Sequence, residues 1–395
     1  MTAQRTIADR PFLRLFDPGE HSRTDDWTIR RAFDELRWPD LKTKKYSYDG
    51  PRWVRLWEQF ESELASAHRS HSPMRISDIG SRELKAFQLW MQEDGRFPLP
   101  KGASSVNKAI KEIALIMRLA ADEGIEVQNT RPPKQVKTGS RPRYYLDGPT
   151  VDKLWAKTHG LDWPPRLAKQ RRIGGFRGSG VEPSVFWRSL LILLRNYGMR
   201  VQDLCAYAKG KSPITWGDVH LDPRSPNPES LETWPLGWLY YKAAKTEDSS
   251  GREYYLPLTP SARAAIDRLR AGAFALGGGH IDLSQPIFCV PKSHGLTEKF
   301  KTLQQSAGVA TRAGEAYELE DFRKTVATYA APIDSELGYA LCGWGPGGGV
   351  KAKHYQQPEP LLVAKLHRVP LPDCFSEWID PAQAQAVAEF VRRFD

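Results

Sequence analysis

Residues 185–196, Val-Phe-Trp-Arg-Ser-Leu-Leu-Ile-Leu-Leu-Arg-Asn, read as a strongly apolar helix, and Gly198 ends it. Such a helix needs a core around it. The run falls short of the roughly 18 uninterrupted apolar residues that a membrane span requires, as does every other stretch of the chain. The core must come from the protein itself, and the composition can supply one: 40% of the 395 residues are hydrophobic and 13 are Trp. This is not the composition of a disordered chain. The length suggests two or three domains.

The net charge of +10 and a pI near 9.3 favour a polyanionic partner, although 47 acidic residues are mixed with 57 basic ones. Cys205, Cys289, Cys342 and Cys374 are scattered, with no CxxC pair or CxxH cluster, so a reduced cytosolic protein without a zinc site is expected. No metal or other cofactor is called for. The opening MTAQRTIADRPF has no apolar stretch of signal-peptide length, and neither secretion nor membrane insertion is expected.

Taken in order, residues 1–48 are polar and rich in Arg and Asp, and are expected to form an arm with one short helix. Residues 49–128 have helical periodicity. Trp53, Leu56, Trp57, Phe60 and Leu64 make one stripe, Leu84, Phe87, Leu89, Trp90 and Met91 populate a second segment, and Ile110, Ile113, Met117 and Ala121 line a third that stops at Gly124. Residues 129–143 hold three prolines and the cations Arg131, Lys134, Lys137, Arg141 and Arg143, as an extended basic connector would. Its charge suits a phosphate backbone, as does that of a second basic, glycine-rich segment, 166–177.

A mixed domain is expected over 144–380. Its elements include a strand at 214–221, a hairpin of 237–245 with 253–258, a helix from Thr259 to about Leu276 and a short buried segment at 287–291. Residues 381–395 end in an amphipathic helix with Ala386, Val387, Phe390 and Val391 apolar. The fold class is α-rich α+β, an all-helical domain followed by a mainly helical one with a small antiparallel sheet. No internal repeat is visible.

Three pieces carry chemistry. Tyr197-Gly-Met-Arg200-Val-Gln-Asp203-Leu204 resembles the T-G-x-R-x-x-E-L motif of the tyrosine recombinase (phage integrase) family. Glu320-Asp-Phe-Arg323-Lys-Thr-Val-Ala-Thr328 is similar to its H-x-L-R-x-T-x-A-T, and Leu341-Cys-Gly-Trp344 to its L-x-G-H/W. Tyr355 follows Trp344 at a longer spacing than usual, and the glycines of 345–349 can absorb the difference. The resemblance runs over about residues 50 to 360 and is most specific after Tyr197.

It implies metal-free and ATP-free cleavage and rejoining of DNA. Tyr355 would attack phosphorus, Arg200 and Arg323 would clamp the phosphate as planar forks, Lys245 would act as general acid with Lys242 competing for that role, and Trp344 would pack and donate its indole N–H. Asp203 would brace the first arginine. Residues 49–128 would be a core-binding DNA clamp, joined by the basic linker to the catalytic domain. Double-stranded DNA is the implied partner. The chain would be monomeric in free solution and tetrameric on DNA, associated with the nucleoid, with the C-terminal helix docking on a neighbouring protomer or on its own domain.

Glu320 departs from the pattern, standing where the family keeps a His. Its carboxylate could be held neutral by burial, could orient Arg323, or could be displaced by Lys324. The departure keeps open an alternative, a recombinase-derived DNA-binding protein with reduced or lost strand transfer.

Overall fold

The chain, seen in a computed structural model, divides into two compact units, Met1–Arg141 and Pro142–Asp395. The structure describes residues 27–42, 49–68, 73–93, 102–128, 131–137, 144–167, 178–205, 213–224, 233–242, 253–290, 293–334, 337–338, 341 and 360–394.

The first unit is built of helices. Helix α1 (Ile29–Ala32) runs through a π-helical turn, Phe33–Arg37, into α2 (Trp38–Leu41), and α3 (Asp49–His68), α4 (Ser81–Gln92) and α5 (Ala103–Asp122) follow. Each start has a local cause. The Thr28 hydroxyl accepts the Arg31 N–H at 3.1 Å, and Glu83 reaches back to the Gly80 N–H at 2.7 Å. Past the end of α5, Gly124 takes φ +79°, which a residue with a side chain adopts only at a cost.

The periodic apolar stripes meet in an aromatic centre. Trp57 and Phe87 meet edge to face with centroids 5.0 Å apart, and Phe87 stacks on Trp90 at 5.8 Å. Ile113 and Met117 of α5 are buried in the same core. So are Ile29, Ala32 and Phe33. The helical unit therefore includes residues that the sequence reading placed in an arm ending at residue 48. Arg37 is tied to it as well, through an ion pair with Glu112 at 2.9 Å.

Residues 131–137 also differ from expectation. Instead of running as an unattached connector, their backbone is bound to the helices of the first unit. Ser81 Oγ accepts the Arg131 N–H at 3.0 Å and donates to the Arg131 carbonyl at 2.9 Å. Gln88 donates to the Lys134 carbonyl at 2.9 Å, and Asn107 makes a two-way pair with the Val136 backbone at 2.8 and 2.9 Å. The side chains of Arg131, Lys134 and Lys137 remain exposed. A fixed backbone thus presents exposed cations.

The second unit is organised around α7 (Pro183–Tyr197), preceded by α6 (Gly148–Lys157). Every residue of α7 from Phe186 to Tyr197 is buried, as the apolar run requires. After it come α8 (Val201–Leu204), β1 (Val219–His220), β2 (Trp238–Lys242), β3 (Glu253–Pro257), α9 (Pro260–Leu276), α10 (Ser293–Ala307), α11 (Asp321–Ala330), α12 (Pro360–His367) and α13 (Pro381–Val391). The sheet is antiparallel in the order β1-β2-β3, with Tyr240 opposite Tyr255 and Lys242 opposite Glu253.

The mainly helical unit with one small antiparallel sheet agrees with the sequence expectation. The strand expected over 214–221 shrinks to Val219–His220. Ahead of it Trp216–Asp218 curls into a 3-10 turn, because the Asp218 carboxylate takes both the N–H and the hydroxyl of Thr215, at 2.8 and 2.7 Å. The rest of the stretch pairs elsewhere, the Ile214 carbonyl with the Ile287 N–H at 3.1 Å.

At the C-terminus, α13 buries Val387 and Phe390 on its own unit, the latter against Trp234 and Ala364.

Candidate functional site

The first arginine segment begins where α7 must stop. Gly198 takes the left-handed conformation at φ +58°, and its N–H closes the helix on the Leu194 carbonyl at 2.9 Å. Arg200 then caps α8 from the N-terminal side. Its N–H is held by the carboxylate of Asp203 at 3.2 Å, and the Asp203 N–H returns to the Arg200 carbonyl at 2.8 Å. Asp203 is buried and braces the backbone of Arg200. The Arg200 guanidinium, partly exposed, pairs with no carboxylate among the described residues.

A buried polar cluster sets the direction of that turn. Asn196 accepts the Thr259 hydroxyl at 2.7 Å and donates to Ser261 at 3.2 Å. The Tyr197 hydroxyl donates to the Pro257 carbonyl at 2.8 Å, and burial pushes its pKa upward, so it stays a donor. These bonds tie the end of α7 to the end of β3 and the start of α9. The β2–β3 hairpin is thereby fixed beside the turn that carries Arg200.

The second arginine lies at the start of α11. Asp321, wholly buried, accepts the Glu318 N–H at 2.8 Å and holds Lys324 at 2.7 Å. Thr325 accepts the Leu146 N–H at 2.9 Å and donates to the Asp321 carbonyl at 2.9 Å, anchoring the helix to the strand of chain that enters the unit. On this frame Arg323 points inward and is only 1% exposed. Its Nη1 donates to the Gly198 carbonyl at 2.8 Å. The acceptor is two residues from Arg200, so one side chain joins the two arginine-bearing segments at a single junction.

Glu320 completes the arrangement. Its carboxylate lies 3.0 Å from Arg323 Nε while its side chain remains 53% exposed. The Glu320 carboxylate is exposed rather than buried and lies at ion-pair distance from Arg323, while Lys324 pairs with Asp321. The buried guanidinium is thus held on one edge by a carbonyl and approached from solvent by a carboxylate. The bond to the Gly198 carbonyl was not readable from sequence, since no local pattern encodes a contact between such distant segments.

Tyr355, Trp344 and Lys245 fall outside the described residues, as do Arg141, Arg143 and most of 166–177. Lys242, the alternative to Lys245, closes β2 with its side chain exposed. Among the described residues no group of His, Cys, Asp and Glu side chains could hold a metal ion, and no helix is long and apolar enough to cross a membrane.

A helical unit followed by a mainly helical unit with a three-stranded antiparallel sheet, its two arginine segments joined through Gly198, has the fold of the tyrosine integrases. No protein-family model matches the chain, and no curated protein matches it. Among solved structures it is similar to a lambda integrase tetramer bound to a Holliday junction, with 16% identity over 85% of each chain and a TM-score of 0.51. It is also similar to the Tn1549 transposon integrase in complex with a circular intermediate DNA, with 12% identity over 85% of this chain and 96% of that one and a TM-score of 0.50.

Proposed function

We propose that the chain is a site-specific DNA recombinase of the tyrosine integrase family, acting on double-stranded DNA through a 3'-phosphotyrosyl intermediate. The observation that supports this reading best is the bond from Arg323 to the Gly198 carbonyl, which joins the two arginine segments.

In this reading the Tyr355 oxygen attacks phosphorus and the P–O5' bond breaks. The departing 5' oxygen takes a proton from Lys245, and the tyrosine proton leaves to solvent. Arg200 and Arg323 neutralise the charge that builds on the phosphorane. The indole N–H of Trp344 adds a donor. Attack by a 5' hydroxyl on the phosphotyrosine runs the sequence backward, so rejoining needs no external energy source. The exposed Arg131, Lys134 and Lys137, with Arg141 and Arg143, contact the DNA backbone. Four protomers assemble on two duplexes, by analogy with the lambda integrase tetramer on its Holliday junction. The setting is cytoplasmic.

One observation favours a second reading. Glu320 lies on Arg323, where the phosphate would bind, as expected of a DNA-binding descendant that has lost strand transfer. A suicide substrate, nicked beside the cleavage position and drawn from DNA flanking the gene, separates the two. A covalent adduct with the wild-type chain that disappears in Tyr355→Phe supports the recombinase. Salt-sensitive binding to the same DNA with no adduct supports the second reading.

A further inference from the structure

Tyr197 ends α7 and is fully buried, and its hydroxyl is shared between two backbone groups of one corner. It donates to the Pro257 carbonyl at 2.8 Å and accepts the Thr259 N–H at 3.3 Å. Pro257 closes β3 and Thr259 caps α9, so one oxygen serves both sides of the bend where the chain leaves the sheet. Beside it, Asn196 accepts the Thr259 hydroxyl at 2.7 Å and donates to Ser261 at 3.2 Å. Pro257, Thr259 and Ser261 are all buried, and a polar group that loses its partner in such a place is costly to leave unpaired.

The arginine turn has anchors of its own besides this corner. The Gly198 carbonyl receives Arg323, the Asp203 carboxylate holds the Arg200 N–H, and the Asp203 carbonyl takes the Ile214 N–H at 2.8 Å. The hairpin lies on the other side of the contact. Its register runs from Trp238 opposite Pro257, at the corner, to Lys242 opposite Glu253 at the outer end, and the strand that backs it, β1, is two residues long. Four residues of strand make a lever of roughly 13 Å, so a tilt of about 5° at the corner moves the outer end by about 1 Å.

We infer that Tyr197 is a positioning residue for strand transfer: its hydroxyl sets the β2–β3 hairpin, and with it the lysine that protonates the leaving 5' oxygen, against the arginine turn. The inference rests on the proposed reading of the chain as a recombinase. Tyr197 acts through the hairpin and does not itself touch DNA. Proton transfer depends on hydrogen-bond reach, so a displacement of about 1 Å is enough to slow it.

The test measures adduct formation by the full chain at saturating DNA, below the melting temperature of each variant. It compares the suicide substrate with the same substrate carrying sulfur in place of the bridging 5' oxygen. A thiolate leaves without a proton, so the sulfur substrate bypasses the lysine. Tyr197→Phe is expected to slow adduct formation on oxygen by roughly tenfold to a hundredfold and to stay within about twofold of wild type on sulfur. Asn196→Ala cuts the second tie to the same corner and should show the same split, so the test does not rest on one variant folding. Equal slowing on both substrates would leave Tyr197 a purely structural role, and an oxygen rate within about twofold of wild type would remove it from the reaction; either overturns the inference. A wild-type chain that forms no adduct on bound DNA of either kind overturns the recombinase reading itself, whereas a wild-type adduct without the split in the variants overturns this inference alone.

Discussion

Arg323 and Gly198 are 125 positions apart in sequence, yet the Arg323 guanidinium donates to the Gly198 carbonyl at 2.8 Å. A glycine in the left-handed conformation exposes its carbonyl at the end of α7, and the second arginine helix is locked to it. The shape of the turn and the position of both arginines are thus one property.

Gly198→Ala should cost about 1–2 kcal/mol, the penalty for placing an L side chain in the left-handed region. Urea unfolding should show a lower midpoint with an unchanged slope. Strand cleavage should fall by more than the lost folded fraction, because Arg200 is displaced with the turn. Cleavage that simply tracks the folded fraction would show that the turn does not position the arginine.

Arg323→Lys retains charge but cannot span the Gly198 carbonyl and a phosphate oxygen at once. On the suicide substrate, adduct formation should slow by roughly 10²–10³, the usual loss for one preorganised donor. DNA affinity should change little by comparison. A variant within twofold of wild type would remove Arg323 from the phosphate clamp.

On the proposed reading the Glu320 carboxylate, 3.0 Å from Arg323, would compete with phosphate for it, so Glu320→Gln should accelerate adduct formation, by about tenfold if roughly 1.4 kcal/mol of repulsion is relieved. Single-turnover rates at fixed DNA occupancy measure this directly. A slower Gln variant would mean that the carboxylate orients Arg323 more than it obstructs it.

The bound backbone of 131–137 separates charge from placement. Changing Arg131, Lys134 and Lys137 together to Ala should flatten the salt dependence of DNA binding by about 0.9 in the log–log slope per lost phosphate contact. Asn107→Ala removes no charge but frees the Val136 backbone. Affinity should fall while the slope is kept. If Asn107→Ala leaves affinity unchanged, the attachment plays no part in binding.

In the first unit, Glu61 is buried on α3, and desolvation lifts its pKa from 4.5 to about 8. Its contribution to stability is full below pH 4.5 and is lost as pH rises towards 8, at roughly 1.4 kcal/mol per pH unit between the two values. Glu61→Gln should flatten that decline and stabilise the unit above neutrality. Parallel pH profiles for wild type and variant would rule out Glu61 as its source.

Local signals were the legible ones. The apolar run of α7, its stop at Gly198 and the two arginine segments each depend on neighbours in sequence, and they could be placed without a structure. A short helix was expected within residues 1–48, but its place in the helical core at Ile29–Leu41 was hidden because the π turn at Phe33–Arg37 breaks the 3.6-residue period that marks an amphipathic helix. Ile214 and Thr215 read as strand because their β-branched character is real, but their pairing with the chain near residue 287 is set by tertiary contact. The capture of 131–137 rests on Ser81, Gln88 and Asn107, polar side chains whose partners no pattern announces. At the arginine junction the residue types were readable and the Gly198 carbonyl was not, since a backbone acceptor leaves no trace in composition.

The intramolecular seat of α13 also sets a clock. Lifting Val387 and Phe390 back into water costs about 3–6 kcal/mol at the usual value for buried apolar side chains, so fewer than roughly one molecule in a hundred has this helix released at any instant. Any handover of the helix from one protomer to another waits on that rare opening. Its rate would then respond to temperature and to substitutions at Trp234 and Phe390 more than to how often the protomers collide.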